Sequence, residues 1–106
     1  MIMDKIGIVG VGLDGASRLI KEGRFWHAAS RPDGRFLVAD DFEGRIWLIE
    51  AATGNTRLVA TGVRGERRVH AHPSFDRQGR YVIFNSARSH NTVAMVDLSQ
   101  FPGWDR

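Results

Sequence analysis

The chain alternates short apolar runs with turn-forming clusters. Nowhere does it hold an apolar stripe at i, i+3, i+4, i+7 through three helical turns. Residues 17–21, 25–30, 36–40, 46–50, 56–60, 69–75, 81–85 and 92–98 read as β-strands, and a further short strand runs up to Gly10. The segments between them are rich in Gly, Asp, Asn and Pro. They include Leu13-Asp-Gly-Ala16, Arg31-Pro-Asp-Gly-Arg35, Asp41-Phe-Glu-Gly44 and Ala52-Thr-Gly-Asn55, residue types that supply hairpin turns. The pattern predicts an all-β chain.

The pattern also repeats. His27-AASRPDGRFLVADD lies over His72-PSFDRQGRYVIFNS at an offset of 45 residues, with Gly34 on Gly79, Phe36 on Tyr81 and Val38 on Ile83. After a two-residue length difference, Trp47-Leu-Ile-Glu50 falls on Ala94-Met-Val-Asp97. A second overlap, at an offset of 39, puts Gly15, Arg18, Leu19 and Gly23 on Gly54, Arg57, Leu58 and Gly62. Four short strands in roughly 40–45 residues is the period of a β-propeller blade. The chain therefore reads as about two to two and a half antiparallel blades. Residues 1–23 give the last two strands of one blade, 24–62 a full blade, and 63–106 part of the next. A closed ring takes at least about four blades. The expectation is a piece of a larger propeller, or a chain that completes its ring by self-association over its open blade faces.

The repeat answers one tempting motif. Gly10-Val-Gly12-Leu-Asp-Gly15 fits G-x-G-x-x-G behind an apolar run, as in a dinucleotide-binding turn. That turn needs a helix of about ten residues and an acid about twenty residues on. Here Gly23 interrupts early, and the Arg31-Pro-Asp-Gly34 turn occupies the place of the acid. The second copy, IWLIEAATGNTRL, lacks the first two glycines. The sequence thus assigns these glycines to a hairpin, and a nicotinamide- or flavin-dependent activity is the weakest of the functional readings.

Composition narrows the classes without choosing among them. In 106 residues, 42% are hydrophobic, with three Trp, six Phe and one Tyr, enough for one small globular domain. The net charge is +3, with arginines at 64, 67 and 68 and around the turns. No basic helix or RNP-like aromatic pattern points to nucleic acid. Cysteine is absent, which excludes disulfides and thiolate-held metals and is compatible with a reducing compartment. No run approaches the roughly 20 apolar residues of a membrane helix. The N-terminal segment lacks an uninterrupted apolar h-region, and the expected location is the cytoplasm.

Three of the four histidines have related positions. His27 and His72 are repeat equivalents in the strand that is innermost in a propeller, and equivalent positions in adjacent blades lie side by side. His70, two residues before His72, shares its face if both lie in a strand. Imidazole nitrogens suit Mn, Fe, Ni, Cu or Zn, and three protein ligands with open positions suit catalysis. The plainer alternative is hydrogen-bonded strand histidines. His90 reads as a surface loop residue, and Trp26 and Trp47 as packing residues. No serine sits in a nucleophile-elbow context.

At GRFWHAASRPDGRFLVADDFEGRIWLIE and VHAHPSFDRQGRYVIFNSARS, with the preceding LDGASRLIKEG, the chain resembles the oligogalacturonate lyases and, more distantly, TolB/WD40-like propeller repeats. The resemblance implies the C-terminal part of a seven-bladed propeller of pectin degradation. It implies Mn(2+) or another divalent metal held by His27, His70 and His72, and metal-assisted β-elimination of an anionic oligouronide. The family's glutamine ligand falls on Arg67, a cation that cannot ligate a metal. Glu66 or water is left to substitute, and Arg67 suits a uronate carboxylate. The family's base lies in earlier blades, so no catalytic base is expected in this chain and the isolated chain is expected to be inactive. The alternative is a non-enzymatic TolB/WD40-like segment used for protein interaction or assembly.

Overall fold

The computed structural model describes residues 6–63, 69–87 and 92–104. Among these described residues nine strands follow one another: β1 Gly7–Val11, β2 Ser17–Glu22, β3 Phe25–Ser30, β4 Phe36–Asp41, β5 Ile46–Glu50, β6 Thr56–Ala60, β7 Ser74–Phe75, β8 Tyr81–Ser86 and β9 Thr92–Asp97. They form three antiparallel sheets, ordered β1-β2, β3-β4-β5-β6 and β7-β8-β9. A 3-10 turn, Leu98–Gln100, follows β9, started by the Asp97 carboxylate accepting from the Ser99 N–H. No α-helix occurs among the described residues.

Both sequence offsets are visible in the backbone. β4 and β8 stand 45 residues apart at both ends, and β1 and β5 stand 39 apart at both ends. The turns before β4 and β8 close the same way. Arg31 N–H donates to Phe36 O at 2.9 Å, and Asp76 N–H to Tyr81 O at 3.0 Å. After Gly15 comes β2, not a helix, so the G-x-G-x-x-G stretch is a hairpin. Gly12 N–H donates to Ala16 O, and Gly15 takes the left-handed φ of 88° that the turn requires.

Two sequence expectations change. Of residues 69–75, only Ser74–Phe75 pair as a strand. Pro73 has no N–H to offer a ladder, and His72 sits at a φ of 44°, outside extended backbone. The run at 92–98 ends at Asp97, because Leu98 begins the 3-10 turn.

The middle sheet packs against a neighbouring sheet on each face, and strand alternation sorts its residues. Leu37, Ala39 and Ile49 face the two-stranded sheet and pack with Ile8, Ile20 and Phe25. Val38, Ile46 and Leu48 face the third sheet and pack with Val82, Phe84 and Leu98. All six residues of β4 are therefore buried, including two aspartates. The Arg18 guanidinium adds a polar clamp by donating to Ala51 O at 3.0 Å.

The turn glycines show how the third sheet docks. Gly34 and Gly79 are repeat equivalents with φ of 75° and 72°. A Cβ on Gly34 would meet nothing within 4 Å, whereas one on Gly79 would lie 2.6 Å from Cγ and Cδ of Arg31. The Arg31 side chain is buried, held by Asp33 at 2.9 and 2.5 Å and stacked 4.5 Å from the Phe36 ring centre. It cannot step aside without giving up those contacts. Gly34→Ala is expected to cost about 1 kcal/mol for its left-handed φ alone. Gly79→Ala is expected to cost about 1–2 kcal/mol more, read as the difference in urea midpoints at unchanged slope.

Candidate metal centre

The site is assembled where the inner edges of the second and third sheets meet. On β3, Phe25 pairs with Asp41 and His27 with Asp40, which leaves Trp26 as the extra residue of a bulge. A bulge re-aims side chains locally. Trp26 and His27 are consecutive, yet their rings stack with centroids 4.8 Å apart. The Phe25 side chain turns the other way, into the core against the two-stranded sheet.

The other two histidines come from the irregular stretch before β7. Ala71 and Pro73 are buried, and His70 and His72 between and beside them are exposed. Two bonds from Asn85, one backbone and one side-chain, fix this stretch to β8. Asn85 N–H donates to Ala71 O at 2.9 Å, and Asn85 Nδ2 donates to His70 O at 3.2 Å. The shared face expected of His70 and His72 is thus reached without a strand. Their rings lie 5.8 Å apart and nearly parallel, at 22°. The repeat equivalents His27 and His72 lie side by side, with ring centroids 3.9 Å apart.

One ring nitrogen from each of His27, His70 and His72 lies within 4.8 Å of the other two. Two nitrogens sharing one ion stand about 3–3.5 Å apart at ordinary metal–nitrogen lengths. His70 and His72, both exposed, are the two members with room to adjust to that spacing. His27 is the fixed member. Its Nδ1 lies 3.0 and 3.2 Å from the two carboxylate oxygens of Asp40, which also accepts the His27 backbone N–H at 2.6 Å. Three imidazoles, one of them with Nδ1 already against a carboxylate, fit a divalent transition metal.

Sequence reasoning placed the three histidines together and missed two of their neighbours. Asp40 is 2% exposed. Its signal was an acid inside the apolar run Phe36-Leu-Val-Ala, where a carboxylate needs a partner. Trp26, expected to pack between blades, does reach the next one, its ring tilted against His70 at 4.2 Å, and it also stacks on His27 and Phe42, so that it walls the histidine cluster. Trp47 does pack: its Nε1 donates to the Asp41 carboxylate at 3.0 Å on the opposite face of β4. Arg67, Glu66 and His90 lie outside the described residues.

A cleft of about 380 Å³ lies on that opposite face, lined by Phe25, Phe42 and Trp47 together with Lys21, Arg24 and Arg45. None of the three histidines lines it. The two-stranded sheet has no described counterpart of β3 and β4 to cover this part of the middle sheet. The histidine cluster, which lies on the other face, remains the candidate centre.

Two strands, a complete four-stranded blade and three strands of another, stacked face to face, define a segment of a β-propeller with histidines on the inner edges of two consecutive blades. Among solved structures, that of an oligogalacturonate lyase from Vibrio parahaemolyticus is similar, with a TM-score of 0.67 and 17% sequence identity. The match covers 88% of this chain and 28% of that one. At this identity the likeness is one of fold, and the chain spans little more than a quarter of that protein's length. No family model matches the chain, and no curated protein matches it. No helix of the described residues is long and apolar enough to cross a membrane.

Proposed function

We propose that this chain is the metal-holding part of an oligogalacturonate lyase-like propeller acting by β-elimination on oligogalacturonides in pectin degradation. The observation that carries the reading is the convergence of His27, His70 and His72 from two consecutive blades. The fold shared with a solved oligogalacturonate lyase supports it. His27, His70 and His72 would hold a divalent ion such as Mn(2+), which would supply Lewis-acid neutralisation of a uronate carboxylate and so favour loss of the adjacent C5 proton. The chain's own residues hold and orient. Asp40 fixes His27, Asn85 fixes the backbone of His70, and Trp26 screens one side of the cluster from water. Arg67 is assigned to the substrate carboxylate. The C5 base is assigned to blades other than those described.

The test is metal analysis and calorimetric titration of the purified chain with Mn(2+) and Zn(2+). One ion per chain is expected, and His70→Ala is expected to weaken binding at least tenfold. Binding that is absent, or unchanged in His70→Ala, would sink the site. Oligogalacturonate with the chain alone is expected to yield no unsaturated-uronide absorbance.

A second reading is metal-independent assembly of copies. On the outer face of the third sheet, Val93 and Met95 are 68% and 59% exposed. They align with Ile46 and Leu48, which the next sheet covers completely. Concentration-dependent self-association in sedimentation, unaffected by chelator and lost in Met95→Lys, is the expected signature of this reading.

A further inference from the structure

We infer that Asp40 is a positioning residue that sets the tautomer of His27, with the proton on Nδ1 and the free lone pair on Nε2. As a statement about a ligand, the inference rests on the metal reading of the histidine cluster. As a statement about the ring, it stands on its own geometry.

The carboxylate is oriented before the imidazole is considered. Its Oδ1 accepts the His27 backbone N–H at 2.6 Å, a donor whose direction the β3–β4 ladder fixes. The same oxygen lies 3.2 Å from Nδ1, and Oδ2 lies 3.0 Å from it. A carboxylate accepts and does not donate, so the shared proton belongs to Nδ1. Nε2 is then the nitrogen with a lone pair to give. The group is 2% exposed, so bulk water does not dilute its hold.

The next blade provides an internal comparison. Asn85 stands at the position equivalent to Asp40, 45 residues on. It ties down the stretch that bears His70 and His72 with an amide, through Nδ2 to His70 O and its backbone N–H to Ala71 O. An amide therefore suffices where only backbone is to be held. Burying a carboxylate costs far more than burying an amide unless a strong donor meets it. At position 40 that donor is an imidazole ring as well as the backbone. A carboxylate offers an oxygen to each of those two donors, whereas an amide has one oxygen to share between them.

Asp40→Asn separates these roles. The Asn Oδ1 can keep the bond from the His27 N–H, while its NH2 group replaces Oδ2 beside Nδ1 and donates to it. The expected result is a switch of His27 to the Nε2–H tautomer. The tautomer is read by long-range proton–nitrogen correlation on the metal-free, nitrogen-15-labelled chain with neutral imidazoles. The His27 signal is assigned by its loss in His27→Gln. In the same variant Zn(2+) affinity is expected to fall about 10–100-fold, the usual effect of removing such a partner. A wild-type His27 carrying its proton on Nε2 overturns the inference without any variant having to fold. So does an Asp40→Asn chain with tautomer and affinity both unchanged. Wild-type chain with the Nδ1–H tautomer but no Zn(2+) binding upholds Asp40 as the group that sets the ring and overturns the metal reading alone.

Discussion

Leu48→Ala is expected to cost about 3–4 kcal/mol, a large fraction of the stability of a domain this size. Leu48 is 0% exposed and lies in the core between the second and third sheets, with Val38, Val82, Phe84 and Leu98 in the same cluster. The missing methyl and methylene groups leave a cavity that two sheets, each held by its own ladder, cannot collapse to fill. Met95 is the matched control. It occupies the equivalent repeat position but is 59% exposed, so Met95→Ala is expected to change stability by less than about 0.5 kcal/mol. Urea unfolding of both variants at low protein concentration checks the pair. Equal effects would mean that the two sheets do not pack as described.

The second large effect is at Asp41. Its carboxylate accepts from Trp47 Nε1 at 3.0 Å, from Arg45 Nε at 2.6 Å, and from the backbone N–H groups of Glu43 and Arg45 at 2.8 and 3.1 Å. Asp41→Ala removes all four bonds and leaves the Trp47 N–H without its acceptor. A loss of about 3 kcal/mol is expected. The pH dependence follows from the same contacts. Burial pushes this carboxyl up, but the bonds from Trp47 and Arg45 outweigh it and hold it below its ordinary value of 3.8. A group whose folded pKa is depressed stabilises above its unfolded pKa and loses that contribution as pH falls through the folded value. Melting temperature is therefore expected to drop below about pH 4. The drop should be shallower in Asp41→Ala than in the wild type. Some acid sensitivity should remain, because the Arg31 guanidinium beside Asp33 holds that carboxyl down at about 2. An acid limb of equal steepness in both proteins would remove Asp41 from the account.

Much of this molecule was legible because its information is local and repeated. The turn glycines, the alternation around them and the two offsets gave nearly every strand to within a residue, since hairpins are specified by neighbours in sequence. The offset of 45 also brought His27 and His72 together, because repeat-equivalent positions on stacked sheets must be adjacent in space. The clearest failure was the stretch from 69 to 73. Its composition suits a strand, but its backbone is set by Pro73 and by bonds to β8 that no local pattern encodes.

The sequence by itself therefore determined the strands, their turns, the blade order and the approximate meeting of three histidines. Tertiary structure decided what surrounds them. The bulge at Trp26 put an aromatic wall against the histidines, and alternation along β4 sent two adjacent aspartates to opposite faces. One face gave Asp41 to the tryptophan and arginine that hold a turn, and the other gave Asp40 to His27. Nothing in the dipeptide Asp40-Asp41 distinguishes its members. Burial forces each carboxylate to find a donor, and only the sheet stacked on each side determines which donor is there.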